Sequence, residues 1–259
     1  MEEGETPGEQ GGVVEDRSEI VSEVYSTRRS RANCGGSYSY QGILPCLDYG
    51  NTYSIKRTDA LGSDIAGIER ALQQHQNEIL CVISTTSCFA PRRPDSLKAI
   101  GELCSRYNAL HLVNNAYGLQ SGICCSLFNG VNVDCFVQSC DKNFQTPVGG
   151  AVIATFKRKK LDPIAAAYPG RASMVPARDM LLTLLHQGRN GLIGQMQMRH
   201  EMYVELRQGL QRLASELDER LLDVPENEIS LAMTLERLPW GKETLLGGML
   251  FARGVTGAR

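Results

Sequence analysis

Val133-Asp-Cys-Phe-Val137 runs without a break into Gln138-Ser-Cys-Asp-Lys142-Asn143. The first five residues read as a strand, and the polar cluster that follows reads as its end. Thr146-Pro-Val-Gly-Gly150 then turns the chain into a second apolar run, Ala151-Val-Ile-Ala-Thr-Phe156. Lys142 therefore lies in a tight connection, close to glycines that let the backbone approach. Upstream, Ile79-Leu-Cys-Val-Ile83 is a continuous apolar run that reads as a buried strand. His111-Leu-Val113 is a short apolar run in a β-like context. Apolar residues at 65, 68, 71 and 72 have helical spacing, with Asp64 as N-cap. Pro94-Asp-Ser96 opens a second amphipathic helix that extends to about Tyr107. This alternation predicts a parallel sheet covered by helices.

Beyond residue 177 the pattern is helical, at Asp179–His186 and from about Leu192 to Leu222. Glu228–Thr234 and Met249–Ala252 read as strands of a smaller unit. Residues 1–24 hold eight acids and one base, Arg17, with few large apolar groups, and read as disordered. Residues 25–58, rich in tyrosine and turn residues, fit no regular pattern. The expected division is therefore an irregular segment 1–58, a sheet-bearing domain 59–176, and linker helices with a small domain over 177–259.

The chain has 259 residues, 42 % hydrophobic and 22 % charged, which excludes wholesale disorder. Its net charge is −2, yet outside the acidic tail 26 bases face 21 acids, a balance that permits a polyanionic partner. No run of about 18 apolar residues predicts a membrane span. Nine cysteines without a C-x-x-C pair read as reduced thiols in a cytosolic protein. Four scattered histidines offer no metal-ligand spacing. Lys157-Arg-Lys-Lys160 reads as a solvated basic turn, with RNA contact as the alternative.

In open α/β sheets, ligands bind at the carboxyl ends of the strands. Three polar clusters fall there: Ser84-Thr-Thr-Ser87, Asn114-Asn-Ala-Tyr-Gly118 and the Lys142 segment. The hydroxyls of the first either cap the next element or bind a phosphate. Lys142 is either a surface loop lysine or the carrier of a Schiff base.

Five segments in order carry a resemblance: Ser84-Thr-Thr-Ser-Cys-Phe-Ala-Pro-Arg92, Asn114-Asn-Ala-Tyr-Gly118, Val137-Gln-Ser-Cys-Asp-Lys-Asn-Phe144, Pro147-Val-Gly-Gly-Ala151 and Tyr168-Pro-Gly-Arg-Ala-Ser173. Over about residues 64–259 the chain resembles the O-phosphoseryl-tRNA(Sec) selenium transferases, the selenocysteine synthases of eukaryotes and archaea. The fold this implies is α/β: a fold-type-I pyridoxal-phosphate transferase sheet, parallel or mixed, with part of a smaller C-terminal α+β unit.

The resemblance implies roles for five residues. Lys142 matches the lysine that carries pyridoxal 5'-phosphate. Asn114 falls where this fold usually sets an acid against the pyridine nitrogen. Ser139 is a candidate for the cofactor phosphate, with packing or capping as the alternative. Arg171 matches a substrate-binding arginine, its guanidinium suited to phosphate or carboxylate. Arg253 matches a tRNA-contacting position. The implied reaction converts O-phosphoseryl-tRNA(Sec) to selenocysteinyl-tRNA(Sec) with selenophosphate, in a cytoplasmic homo-oligomer that is a tetramer in the family. The implied set contains no metal and no membrane partner.

Residues 1–58 do not match the family's N-terminal phosphate-gripping portion, so weak or no turnover is expected of this chain alone. The alternative reading is a non-catalytic fragment that binds RNA or a full-length partner. A sulfur-handling desulfurase is a third, but its mobile catalytic cysteine motif is missing.

Overall fold

In the computed structural model the structure describes residues 20–26, 52–56, 62–76, 78–86, 92–147, 149–166, 173–222, 224 and 226–256. Two strands come first, β1 (Ile20–Ser26) and β2 (Thr52–Lys56). Helix α1 (Ile65–Gln74) leads to β3 (Ile79–Thr85), and α2 (Leu97–Arg106) leads to β4 (Leu110–Asn114). A short helix α3 (Gly122–Ser126) precedes β5 (Cys135–Ser139), which turns through α4 (Cys140–Asn143) into β6 (Ala151–Ala154). The chain then forms α5 (Arg158–Ala166), α6 (Val175–Glu216) and α7 (Glu243–Phe251).

The six strands form one sheet in the order β2-β1-β3-β4-β5-β6. β3, β4 and β5 are parallel, as their helical crossovers require. β6 pairs antiparallel with β5, and β1 pairs antiparallel with both β2 and β3. The sheet is therefore mixed.

Amphipathic helices make the core. Ile68 and Leu72 of α1, with Ile100, Leu103 and Cys104 of α2, pack on Ile79 and Val82 of β3. Leu97, Val113 and Val133 form a second cluster. Each fully buried aliphatic side chain there stabilises the fold by about 1.5–3 kcal/mol. The Asp64 carboxylate accepts from Gly67 N at 2.9 Å and caps α1 as expected. α6 is two helices joined at Gly188, whose φ of 61° suits glycine; it covers the first expected helical stretch and the second as far as Glu216, short of the expected Leu222. No helix of the described residues is long and apolar enough to cross a membrane.

The cysteines at 81, 104, 135 and 140 are buried free thiols, and Cys124 is buried as well. Burial pushes the Cys81 and Cys104 thiols up to about 12 and Cys135 to about 11, which leaves them unreactive.

Four expectations need correction. Residues 20–24 belong to a strand, although the acidic composition around them predicts disorder. Pairing with β3 supplies what the local sequence lacks. Glu228–Thr234 is not a strand; its one sheet-like contact is an isolated bridge from Met233 to Leu221. Met249–Ala252 lies at the end of α7, because the apolar run from Leu245 onward is long enough to wind as a helix. Of the basic run expected as a turn, Arg158, Lys159 and Lys160 open α5 and Lys157 just precedes it; Lys157 and Lys160 lie 3.6 and 3.4 Å from Asp134.

His111 of β4 is fully buried and has a fixed tautomer. Its Nδ1 faces the Asn132 carbonyl at 3.0 Å and so carries the proton, while Nε2 accepts from the Ser84 hydroxyl at 2.7 Å. Burial pushes this imidazole below its ordinary 6.5. Below that pH the unfolded chain binds a proton that the folded chain refuses, so stability falls as pH drops through and below 6.5. The urea midpoint should be lower at about pH 5.5 than at about pH 7.5, and His111→Gln should flatten that dependence. An unchanged slope in the variant would exclude His111 as its source.

Candidate active site at the carboxyl edge of the sheet

Register brings the functional segments together. Thr85 of β3 lies beside Asn114 of β4, and Asn114 beside Val137 of β5. The three parallel strands thus end near one line, and Asn114 and the Lys142 turn leave from it.

The turn after β4 is built on Asn115 and Gly118. Asn115 is buried; its N–H donates to the Val137 carbonyl at 3.0 Å, and its side-chain oxygen accepts from the Thr86 hydroxyl. A Cβ at Gly118 would lie 1.9 Å from that same oxygen, so only glycine fits. The Gln120 amide, in the 3-10 turn Gly118–Gln120, donates to the Lys142 carbonyl at 2.6 Å. The Asn143 amide donates to Ala116 O at 2.7 Å and Ser139 O at 2.8 Å. These bonds lock the Lys142 turn onto the Asn114 turn. On the far side, Cys140 N donates to Gly150 O at 3.1 Å, and Gly150 packs against Pro176 of α6.

Lys142 is mostly buried. Its Nζ donates to Ser139 Oγ at 3.2 Å and to the two Asp141 carboxylate oxygens at 3.3 and 3.4 Å. The Tyr117 ring centroid lies 5.3 Å from Nζ. Ser139 Oγ also donates to Asp141 Oδ1. Burial favours the neutral acid of Asp141, but the Ser139 hydroxyl and the Lys142 ammonium outweigh it and hold the carboxyl below its ordinary range.

Asn114 is exposed, and its Oδ1 accepts from Ala116 N at 3.1 Å. That bond commits Oδ1 and leaves the NH₂ group as the donor of this side chain. A donor there matches an unprotonated pyridine nitrogen, which accepts. A lysine and an amide donor on neighbouring strand ends therefore fit a pyridoxal-type cofactor. Ser139 fits its expected role less well: its hydroxyl is committed to Asp141, and a cofactor phosphate there would face that carboxylate. Arg171 and Ser87 lie outside the described residues. Arg253 is exposed just past α7, donates to Met249 O at 3.0 Å, and is not joined to the Lys142 cluster by any of these bonds. The Ser84 and Thr86 hydroxyls are spent on internal bonds to His111 and Asn115, and the Thr85 backbone N–H donates to Asp95.

Sequence reasoning missed the supports of this edge. Arg92 and Asp95 form a buried ion pair at 2.6 Å. Asp95 also accepts from Thr85 N at 2.6 Å and Ser63 Oγ at 2.8 Å. The loop after α6 clasps the same region: the Asn227 amide donates to Arg92 O at 3.1 Å, and Glu226 pairs with Arg93. Glu228 accepts from the Ser121 hydroxyl at 2.7 Å, and Arg199 of α6 donates to Glu228 O at 2.6 Å. The signals available were the i, i+3 spacing of Arg92 and Asp95 and the acid adjacent to Lys142.

Known proteins resemble this chain in sequence and in fold. The family model described as O-phosphoseryl-tRNA(Sec) selenium transferase, SepSecS, matches residues 52–259. The O-phosphoseryl-tRNA(Sec) selenium transferase of Caenorhabditis briggsae is 50% identical over 205 residues, 78% of this chain and 42% of the relative. That of Caenorhabditis elegans is 49% identical over 209 residues, 79% of this chain and 44% of the relative. The chain thus spans less than half the length of these curated relatives. The crystal structure of an archaeal O-phosphoseryl-tRNA(Sec) selenium transferase superposes with a TM-score of 0.70 at 26% identity, covering 77% of this chain and 46% of that one. The Oryza sativa TDC with PLP superposes at 0.58 with 18% identity, covering 71% and 40%, and shows the shared fold alone. That fold is the α/β fold of the type-I pyridoxal-phosphate enzymes. By sequence and by fold, the chain belongs to the O-phosphoseryl-tRNA(Sec) selenium transferase family.

Proposed function

We propose that this chain supplies the lysine-bearing part of a pyridoxal-phosphate site that converts O-phosphoseryl-tRNA(Sec) to selenocysteinyl-tRNA(Sec) with selenophosphate. The observation that supports it is the pairing of Lys142 and Asn114 on adjacent strand ends, within segments matched by the family. Bound there, the cofactor would supply an electron sink for loss of the α-proton and β-phosphate of the seryl group. Lys142 is the residue to hold it covalently, and its amine, once freed, carries the proton at the reacting carbon. Asn114 would donate to the ring nitrogen of such a cofactor without protonating it. The sink is therefore moderate, which suits elimination of phosphate, a good leaving group. Arg171 is assigned to the phosphate or carboxylate of the substrate, and Arg253 to tRNA phosphates.

Exposed apolar side chains on α6 and α7, among them Leu182, Leu185, Leu206 and Phe251, support a homo-oligomeric assembly. The buried free thiols fit a cytosolic setting.

The test is a cofactor titration of the purified chain. Pyridoxal phosphate should give a visible absorbance band, and borohydride should trap it on the Lys142 peptide. A folded protein with no band and no adduct would overturn the catalytic reading in favour of a fragment that binds RNA or a full-length partner.

A further inference from the structure

We propose that Asp141 is a positioning residue for Lys142: with the Ser139 hydroxyl, its carboxylate forms a seat that holds the lysine as an ammonium and sets how readily it exchanges its proton. This deepens the assignment of Lys142 above and rests on it.

The seat is organised before any ligand arrives. Both Asp141 oxygens lie within 3.4 Å of Nζ, and Ser139 Oγ lies at 3.2 Å. Ser139 donates to the same carboxylate, which orients it toward the lysine. The backbone under the seat is pinned at both ends, by Cys140 N to Gly150 O and by the Asn143 amide to Ser139 O. The pair is largely shielded, with 19% of the Lys142 side chain and 26% of the Asp141 side chain exposed, so solvent screens it less than a surface pair. Among the described residues, the other ionisable groups set against it are the Cys140 thiol on the same turn and Tyr117 on the facing one.

The chemical consequence has two sides. An amine attacks a carbonyl only when neutral, so the carboxylate restrains Lys142 in the resting protein. When the freed amine later takes the substrate α-proton, the C–H bond breaks with its electron pair left on carbon, and an N–H bond forms. The ammonium so produced falls onto Asp141, which favours the transfer. A carboxylate beside the lysine thus exchanges some nucleophilic readiness for basicity.

The experiment uses the full chain without cofactor. Acetic anhydride labels neutral amines, and mass spectrometry of the Lys142 peptide over a pH series reads its titration directly. In Asp141→Asn, labelling of Lys142 at about pH 8 should rise about five- to tenfold, with the whole profile moved to lower pH. Asp141→Glu should restore a profile near that of the native chain. Lys157 and Lys160, paired with Asp134, serve as internal controls and should not change. Asp141→Ser carries the same expectation should the amide variant fail to fold. A profile in both carboxylate-free variants that superimposes on the native one would overturn the proposal. So would Asp141→Glu behaving like Asp141→Asn, because shape rather than charge would then be responsible. Because labelling needs no cofactor, it is independent of borohydride trapping: a lost trap with an intact labelling shift removes the catalytic reading and leaves the seat standing.

Discussion

Replacing Arg92 with alanine should destabilise the protein by about 3–5 kcal/mol, a large fraction of the total for a domain of this size. The guanidinium is 4% exposed and the Asp95 carboxylate fully buried, with 2.6 Å between them. Asp95 accepts from three donors, Arg92, Thr85 N and Ser63 Oγ, and so sits as a carboxylate. Burial pushes that carboxyl up, and Arg92 is the strongest influence opposing it. Without Arg92 the charge is left in the interior without its counter-ion, and the Thr85 carbonyl loses a donor at 3.3 Å. Arg93 provides the control on the neighbouring residue. Its pair with Glu226 is about two-fifths exposed, so Arg93→Ala should cost only about 0–1 kcal/mol. Urea unfolding of the two variants measures the contrast. Equal and small losses would mean that the Arg92–Asp95 pair contributes no more than a surface pair. The effect should reach the site as well, because Thr85 is the register partner of Asn114.

The parallel part of the fold was legible because its strands are short apolar runs with helix-period stretches between them. Ile79–Thr85, Leu110–Asn114 and Cys135–Ser139 each bury inward-facing residues, and α1 and α2 carry their apolar stripes onto them. The placement of Lys142 and Asn114 at strand ends was legible for the same reason, since a strand end fixes where the next few residues must lie. β1 was not, because it pairs between β2 and β3 while an acidic composition dominates the local sequence. α7 was misread because a short apolar run does not distinguish strand from helix. The burial of the Arg92–Asp95 pair, whose spacing alone is visible in the sequence, was illegible for a different reason. Residues 92–96 are not helical, and their partners include Glu226 and Asn227, more than 130 positions away. Tertiary contacts of that kind decide whether a charge is solvated or structural, and a linear pattern carries no record of them. The bond from the Ser139 hydroxyl to its neighbour Asp141 was illegible at the same level.

Lys142→Ala should abolish the borohydride-trapped adduct and, in an assembly competent for turnover, lower the rate by at least about 10²–10⁴-fold from the lost proton transfer alone. The structure makes this specific. Lys142 is the lysine at the end of β5 whose backbone is locked to the Asn114 turn through Gln120 and Asn143. Lys157 and Lys160, by contrast, sit at the start of α5 against Asp134. Removing the Lys142 side chain leaves those backbone bonds in place, because Gln120 bonds the carbonyl and not the amine. The fold should therefore persist, with a stability change of about 1 kcal/mol or less for the loss of a partly exposed ion pair. Lys142→Arg separates the two functions of the residue. It keeps a cation for Asp141 and the ring of Tyr117, yet its guanidinium does not condense with an aldehyde, so it should preserve stability and still give no adduct. Peptide mapping after borohydride reduction decides the matter. An adduct of native yield on another lysine in the alanine variant would remove Lys142 from the site. Loss of the adduct in both variants, with native unfolding midpoints, would tie the covalent chemistry to this one amine.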